Sequence, residues 1–317
     1  MIGKRIITVI SGLLIMVLIF TACGGGSHAS QTSLTAETEG RPITDREGYA
    51  IALPEKINRI ITIGPSNTEI LVGLDFGGSI IAADRYSSDA AGLSPNTPAE
   101  LDIMSLDAEY IVNLMPDVIF ITGMARTGRE DNPLALVAEA GITVIYMPTS
   151  VSISAIMEDI MFIAAVMEAS EAGENIISAM KAEINEIKKI AEGITKTRKV
   201  YFEISAAPMM YSFGSETFLN EMIELTGAVN IFKDKNGWIS VSDETLLQAN
   251  PDVILTSVDY LDDPIGEILL RPGFEAVTAV QNNKVFRIDT ASSNRSSQNI
   301  IKALKEIAKA VYPEYFL

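Results

Sequence analysis

The sequence predicts an α/β protein with two similar parallel-sheet lobes that are joined by one long rigid α-helix. Three observations carry this prediction. A segment with a glutamate seven residues before a Pro-Asp pair occurs twice, at Glu109 and at Glu244. Short apolar runs alternate with helical stretches in both halves of the chain. Between the two copies lies a long stretch with apolar residues at helical spacing.

The repeat is the strongest of these observations. The first copy places Glu109 before a pair that ends in Asp117, and the second places Glu244 before a pair that ends in Asp252, 135 positions later. Both copies continue into an apolar run of strand type. Because solenoid repeats recur every 20 to about 50 residues, this distance indicates two equivalent lobes.

In the first lobe, apolar runs and helix signals alternate along the chain. Ser66, Asn67 or Thr68 can cap the first helix, and Glu69 is favourable in its first turn. Strands separated by helices predict right-handed βαβ units and therefore a parallel sheet. We expect strands at 59–63, 79–83, 118–122 and 143–147, and helices at 66–74, 105–114 and 132–140.

The middle of the chain predicts the helical connector. Charged residues separate apolar residues that recur at helical spacing, which predicts one amphipathic helix. Its position between the two copies indicates a rigid connector over 151–197. The apolar positions are Ile176, Ile177, Met180, Ile184, Ile187 and Ala191.

The second lobe repeats the pattern of the first. A helix is expected to begin at Asp263-Pro264, and the stretch 230–241 is expected to be irregular and holds Trp238, the only tryptophan. The remaining strands are expected at 200–204, 253–257 and 284–288, and the remaining helices at 216–225 and 298–311.

The first residues predict export. Lys4 and Arg5 precede an apolar run over 6–20, which is typical of a secretory signal peptide over 1–22. Cleavage would leave Cys23, the only cysteine, at the new N-terminus, and this arrangement resembles the lipobox of bacterial lipoproteins. A transmembrane anchor is the alternative, although the run is shorter than the ~20 residues that a spanning helix needs. We expect a flexible tether over 23–41, followed by lobes at 42–150 and 198–317.

Composition excludes several classes of function. The net charge of −17 argues against nucleic acid, whose phosphates need basic partners. His28 is the only histidine and lies in the tether, so a Ser-His-Asp triad, a Cys-His pair and a histidine-based metal site are not expected in the lobes. One cysteine permits no internal disulfide, and carboxylate-only catalysis stays open.

The ordered set of features resembles a known family. The chain is similar to the substrate-binding proteins of ATP-driven importers for iron–siderophore complexes, haem and cobalamin. The features that carry this similarity are the segment Arg59–Leu74 with its Thr-Glu-Ile-Leu sequence, the two Glu-x6-Pro-Asp copies, the connector and the closing Ala-Val-Tyr-Pro-Glu. The resemblance covers residues 43–316. It implies a ligand cleft between the lobes, little closure on ligand, no enzymatic activity and no resident cofactor or metal.

The resemblance also implies partners and a location. The protein would be a monomer that is lipid-anchored outside the cytoplasm and that delivers its ligand to a permease dimer with its ATPase. Glu109 and Glu244 match the positions at which the family docks against permease arginines. Two equivalent lobes would thus present two equivalent charges to a two-fold partner. The alternative is that each glutamate only favours the start of its helix.

Ligand contacts are expected in loops at the carboxyl ends of the strands. By resemblance, Trp238 and Tyr86 match pocket aromatics of cobalamin-binding members, whereas Ile103 and Thr122 stand where those members carry further aromatics. Aromatic rings and methionines suit a large planar ligand, although Met209 and Met210 can also be core residues. The candidate contacts are Ser66, Asn67, Arg85, Tyr86, Met124, Met209, Met210, Tyr211, Trp238 and Arg295, with Arg126 and Arg129 as further basic candidates in a loop that can also be solvated.

Two functions therefore compete. The first is a binding protein that captures a siderophore, haem or corrinoid. The second is a surface-tethered hydrolase that uses two carboxylates across the cleft, for example Asp84 and Asp289. The symmetric repeat and the lack of a histidine outside the tether favour the first.

Overall fold

Two parallel sheets form the framework of the protein. The structure is a computed structural model that describes residues 40–123 and 134–316. The first sheet has five strands, of which two coincide with the predicted 118–122 and 143–147. In chain order the elements are β1 (Ile60–Ile63), α1 (Pro65–Gly73), β2 (Ile80–Asp84), β3 (Ala99–Leu101), α2 (Ala108–Asn113), β4 (Val118–Thr122), α3 (Ala135–Glu139) and β5 (Thr143–Met147). The strand order is β3-β2-β1-β4-β5.

The second sheet repeats this design with four parallel strands. After the connector helices α4 (Ile153–Val166) and α5 (Ser170–Ala191), the elements are β6 (Lys199–Glu203), β7 (Tyr211–Phe213), α6 (Phe218–Leu225), β8 (Val229–Asn230), β9 (Trp238–Ser240), α7 (Asp243–Ala249), β10 (Val253–Thr256), α8 (Pro264–Leu269), α9 (Thr278–Gln281), β11 (Val285–Arg287), α10 (Thr290–Asn294) and α11 (Ile300–Val311). The strand order is β11-β10-β6-β8, and β7 and β9 form a separate antiparallel pair. The predicted α/β fold with two parallel-sheet lobes is confirmed.

The connector differs from the single helix that the sequence predicted. The amphipathic pattern belongs to α5, whose buried residues include Ile177, Met180 and Ile184. A second helix, α4, precedes it and has a more apolar, largely buried surface. The two are separated at Glu168, whose φ of 57° is left-handed and cannot continue a right-handed helix. The stiffness expected of the connector stays a prediction.

The hydrophobic core passes through both lobes. Side chains on one face of the first sheet, such as Phe120, belong to the same buried cluster as Ile163 of α4, Ile184 of α5 and Phe202 of the second sheet. The other face of each sheet has its own smaller cluster, against α2 and α3 in the first lobe and against α7 and α8 in the second. The shared cluster ties both lobes to the connector by apolar burial.

The start of α1 corrects a predicted cap. None of Ser66, Asn67 and Thr68 caps this helix; Gly64 holds the cap position with φ 113°, and Pro65 follows in the first turn. Glycine adopts this left-handed φ without strain, and proline fits the first turn because it needs no hydrogen bond there. The side chains of Asn67 and Thr68 are buried instead. Glu69 lies beyond the first turn, so it does not have the expected helix-start role.

The sequence repeat corresponds to one structural unit that occurs twice. The Asp117 carboxylate accepts hydrogen bonds from the backbone amides of Asn58 and Arg59, at 2.7 and 2.9 Å. The Asp252 carboxylate accepts one from the amide of Lys199, at 2.8 Å. Each aspartate therefore fixes the entry of a central strand, β1 in one lobe and β6 in the other.

A basic side chain completes each unit. The Arg59 guanidinium donates to the carbonyl of Leu114, at 2.7 Å, and so binds the C-terminal end of α2. In the same way Lys199 donates to the carbonyl of Ala249 at the end of α7, at 2.7 Å. Cations at helix C-termini are favourable. The helices that carry Glu109 and Glu244 are thus held by matching contacts.

Candidate functional site

Loops that follow the strands of the two sheets meet along the junction between the lobes. The amide of Ser296 donates to the hydroxyl of Ser66, at 3.0 Å, and a guanidinium nitrogen of Arg295 donates to the carbonyl of Tyr86, at 3.0 Å. Ser66 and Tyr86 follow β1 and β2, whereas Arg295 and Ser296 lie after β11. Carboxyl ends of parallel strands are where open α/β sheets bind ligands, so this junction is the candidate site.

An aromatic wall lies on the second lobe. Strands β7 and β9 pair so that Phe213 is opposite Trp238 and Tyr211 is opposite Ser240, which places all four side chains on one face. Phe213 is fully buried. Its ring packs edge-on against the Trp238 ring, with 6.2 Å between the two ring centres. Trp238 remains 50% exposed and Tyr211 44% exposed. The Trp238 ring therefore packs against Phe213, and both exposed rings are open to a ligand.

Tyr260 extends this wall and was not among the predicted residues. Its hydroxyl accepts a hydrogen bond from the amide of Ala206, at 2.8 Å, and lies 3.3 Å from the hydroxyl of Ser205. The ring is 63% exposed. A signal was present in the sequence, because Tyr260 follows the strand of the second repeat copy just as Gly123 and Met124 follow that of the first.

Tyr86 supplies an aromatic ring from the first lobe. It lies in a short helical turn after β2, where Asp84 accepts hydrogen bonds from the Tyr86 amide and the Ser87 hydroxyl. The Arg85 guanidinium stacks on the Tyr86 ring with its central carbon 4.9 Å from the ring centre. Arg85 also forms an ion pair with Asp102, at 3.3 Å. The ring is thus oriented but remains 54% exposed.

Arg295 is already engaged by protein groups. Its guanidinium donates to Glu69, at 2.9 Å, and to Asp89, at 2.7 Å, in addition to the Tyr86 carbonyl. Burial acts to lower the pKa of Arg295, but the hydrogen bonds with both carboxylates outweigh it and raise the pKa. Glu69 is itself buried and accepts further hydrogen bonds from Ser297 and Asn299.

The remaining predicted ligand contacts differ in their exposure to solvent. Met209 is 73% exposed next to the aromatic wall. Asn67 is buried and donates to the carbonyl of Ile63. Met210 is also buried, and its sulfur lies 3.1 Å from the guanidinium of Arg271. Asn67 and Met210 therefore pack in the interior instead of on the cleft surface. Met124, Arg126, Arg129 and the lipidation candidate Cys23 lie outside the described residues.

A buried ion pair supports the second lobe beneath the site. Glu203, at the end of β6, is fully buried and accepts two hydrogen bonds from Arg271, at 2.7 and 2.9 Å. Burial acts to lower the pKa of Arg271, but the bonds to Glu203 and Glu267 raise it above its ordinary value. The bidentate geometry is the strong form of this contact. It fixes the end of the strand from which the loop to Tyr211 departs.

Asp84 and Asp289, the two carboxylates of the hydrolase alternative, both form hydrogen bonds or ion pairs within the protein. Asp84 is buried and accepts from the amide of Gly64, at 2.8 Å, as well as from the turn that follows it. Asp289 caps α10 through the amide of Ser292 and pairs with Lys302, at 2.8 Å. Burial acts to raise the pKa of Asp289, but Lys302 and Ser292 outweigh it and lower the pKa to about 2. Such a group stays ionised and is a poor general acid near neutral pH.

A cavity of about 470 Å³ adjoins Arg295. Asp89 comes from the first lobe, and the remaining lining residues come from the second. Across residues 40–123 and 134–316, no group of three or more histidine, cysteine, aspartate or glutamate side chains is arranged to hold a metal ion.

Glu109 and Glu244 occupy equivalent surface positions. Each is the second residue of its helix, and each is exposed. Asp107 caps α2 through the amide of Tyr110, and Ser242 caps α7 through the amide of Thr245. Hydrogen bonds from its own amide and from Ser242 lower the pKa of Glu244. Neither glutamate has an ion-pair partner among the described parts of the chain.

The described helices include none that is both long and apolar enough to cross a membrane.

Comparison with known proteins gives a consistent result. A family model described as periplasmic binding protein matches residues 60–291. The chain is 25% identical over 313 residues to the uncharacterized ABC transporter substrate-binding lipoprotein YvrC of Bacillus subtilis, covering 96% of this chain and 97% of that protein. It is 23% identical to a cobalamin-binding protein of Halobacterium salinarum, covering 86% of this chain and 74% of that protein.

A solved structure shows the same fold. A possible iron-binding (periplasmic solute-binding) protein from Staphylococcus epidermidis superimposes with a TM-score of 0.71 and 27% sequence identity. The superposition covers 81% of this chain and 100% of the other. The two-lobed fold is therefore shared with solute-binding proteins.

Proposed function

Since this chain belongs to the periplasmic binding protein family, and is a substrate-binding protein of an ABC importer and not an enzyme, we propose that its ligand is a metal chelate or a corrinoid. The candidates are an iron–siderophore complex, haem and a corrinoid. The protein captures this ligand between its lobes and delivers it to a permease that is driven by an ATPase.

The exposed aromatic rings at the junction carry this proposal. Tyr86 on one lobe and Tyr211, Trp238 and Tyr260 on the other are each at least 44% exposed, although large aromatic side chains are normally much more buried. Each is held in place by a defined contact of its ring, backbone or hydroxyl. Fixed, open rings at the carboxyl ends of two sheets suit a large ligand with flat faces. The cobalamin-binding and possible iron-binding relatives agree with this class.

Glu109 and Glu244 are proposed as the permease contacts. They are exposed and equivalently placed, and the C-terminal end of each one's helix is bound by a basic side chain of its own lobe. Paired charges of this kind accelerate encounter and fix orientation more than they raise affinity. A two-fold permease with two basic sites is the partner that fits two such carboxylates.

We also propose lipid attachment at Cys23 after removal of residues 1–22. The basic and apolar start of the sequence supports it, as does the lipoprotein name of the Bacillus subtilis relative. The mature protein would then act outside the cytoplasm as a monomer. Replacement of Cys23 by alanine should release the protein from the membrane fraction, and mass spectrometry of the mature N-terminus tests the modification directly.

Intrinsic fluorescence tests the ligand class. Because Trp238 is the only tryptophan, its emission reports on the site alone. We expect at least one of cyanocobalamin, a ferric hydroxamate chelate and haemin to quench this emission saturably. Calorimetry of Trp238→Phe should then show binding weakened by about fivefold, through loss of aromatic contact. If none of the three produces quenching or heat, the proposed ligand class is wrong.

A further inference from the structure

Two arginines of the described cleft, Arg295 and Arg85, are paired with carboxylates of the protein. Arg295 contacts both Glu69, at 2.9 Å, and Asp89, at 2.7 Å. Arg85 is paired with Asp102 and covered on one side by the Tyr86 ring. A bound anion would therefore compete with an existing carboxylate at either guanidinium.

The two carboxylates on Arg295 differ in exposure. The Glu69 side chain is only 5% exposed and has several further hydrogen-bond donors, so it is a fixed part of the structure. The Asp89 side chain is 61% exposed. Asp89 is thus the carboxylate of Arg295 that is more accessible to an incoming ligand, and it lines the adjoining cavity.

The adjoining cavity has an excess of negative charge. Its walls include the carboxylates of Asp89, Asp259, Asp289 and Glu306 but only the guanidiniums of Arg287 and Arg295. Asp289 is held ionised, and its partner Lys302 balances only that one group. Since Arg295 is already neutralised by Glu69, the cavity presents more carboxylates than free cations to a ligand.

The charge of the whole protein has the same sign. Its formal net charge is −17, so the field of the whole protein adds to that of the acidic walls.

We propose that the ligand is an uncharged or cationic chelate, and that Asp89 determines this specificity by occupying Arg295 against anionic ligands. This inference rests on the proposed function. An anionic group would lose its hydration, would have to displace Asp89, and would then lie among carboxylates within the Debye length of ~8 Å. An uncharged or cationic chelate neither displaces Asp89 nor meets repulsion from the carboxylates, and it still stacks on the aromatic wall.

The test compares probes of different charge on the full-length mature protein. Cyanocobalamin is uncharged, ferrioxamine B is cationic, haemin carries two carboxylates, and molybdate is a small dianion. We expect the tightest binding from an uncharged or cationic probe. Raising the salt concentration from about 0.05 to about 0.5 M should strengthen any residual haemin binding and weaken that of ferrioxamine B, because screening relieves repulsion as well as attraction.

The Asp89→Asn variant isolates the proposed residue. It frees one face of Arg295, and we expect haemin to bind about tenfold more tightly, with cyanocobalamin changed by less than about twofold. Glu55→Gln is the matched control, since Glu55 is an exposed carboxylate that precedes β1 and lies away from the carboxyl ends of the strands. It removes the same charge and should leave all affinities unchanged.

The outcomes separate the inference from the proposed function. If haemin or molybdate binds to the unaltered protein more tightly than both other probes, or if Asp89→Asn leaves haemin affinity unchanged, the charge inference is overturned. Tight haemin binding would leave the proposed function intact. If no probe binds to either protein, the proposed function itself fails, and the inference fails with it.

Discussion

The guanidinium of Arg295 donates to the carboxylate of Glu69 at 2.9 Å, and this ion pair joins the segment before α11 to helix α1 of the other lobe. Ser297 and Asn299 donate to the same carboxylate, and Gln298 donates to the Glu69 carbonyl, at 2.7 Å. The lobes are thus linked by a polar cluster in addition to the connector helices. Arg295, which was predicted to be a ligand contact, therefore also holds the two lobes together.

Replacement of Glu69 by alanine should destabilise the fold by about 3 kcal/mol, because it leaves Arg295 and several donors unpaired in a mostly buried position. Urea unfolding followed by circular dichroism measures this change. Asp89→Ala removes the other, 61% exposed partner of Arg295 and should cost less than about 1 kcal/mol. Equal losses in the two variants would show that the pair with Glu69 has no special structural role.

The Glu203–Arg271 pair should be a second point of sensitivity. Both side chains are at most 4% exposed, so Arg271→Ala leaves a buried carboxylate without its cation and should cost about 4 kcal/mol. Glu267→Gln alters a partner whose side chain is 30% exposed and should cost much less. The midpoints of urea unfolding distinguish the two. A stable Arg271→Ala protein would mean that Glu203 is protonated or hydrated instead.

Acid should weaken the contact between Asp289 and Lys302. The folded protein lowers the pKa of Asp289 from 3.8 to about 2. A lowered carboxyl pKa stabilises the fold above the unfolded value, and this contribution is lost as the pH falls from about 4 toward 2. Because the Lys302 side chain is 58% exposed, the loss should not exceed about 1 kcal/mol.

Two variants, each with a helix-capping aspartate replaced by asparagine, test this pH dependence of stability. Asp289→Asn keeps the cap of α10 but removes the titration, so its unfolding midpoint should fall less than that of the unaltered protein between pH 4 and about pH 2. Asp263→Asn changes a cap of α8 whose side chain forms no ion pair among the described residues, and it should follow the unaltered protein. Parallel pH profiles for all three proteins would contradict the assigned pKa.

Tyr260 should contribute to ligand binding through its ring. Tyr260→Ala removes a 63% exposed aromatic surface from the wall and should weaken binding of the identified ligand by about tenfold. Tyr260→Phe keeps the ring and loses only the contacts of its hydroxyl with Ala206 and Ser205, so most of the affinity should remain. Calorimetry of both variants separates the ring from the hydroxyl, and unchanged affinity in Tyr260→Ala would remove this residue from the site.

Much of the fold could be predicted because its signals are local. The Pro-Asp pairs mark the starts of β4 and β10, and their aspartates also bind the amides that lead into β1 and β6. The missed strands β3, β7, β8 and β9 have only two or three residues each, which is too short for an alternating pattern to be visible. Their existence depends on pairing with distant strands, as Trp238 does with Phe213.

The site was less predictable for a related reason. Loop position placed Tyr86, Tyr211 and Trp238 near the strand ends, but it could not show that Met210 turns into the core. The partners of Arg295 lie more than 200 residues away in sequence, so its neutralisation by Glu69 and Asp89 is visible only in three dimensions.

The paired glutamates provide the most direct test of the account as a whole. The double variant Glu109→Ala with Glu244→Ala should bind its ligand with unchanged affinity, since neither residue lies at the lobe junction. Uptake by cells that depend on this protein should nevertheless fall about tenfold or more, as expected when charged contacts to a partner are lost. Glu174→Ala with Glu186→Ala removes two exposed charges from α5 and is the control.

Uptake in cells that carry the Glu109/Glu244 double variant, measured beside the affinity of the purified protein, is therefore the decisive measurement. We expect lost uptake with full ligand affinity in the double variant, and normal uptake in the control variant. Normal uptake in the double variant would contradict this expectation.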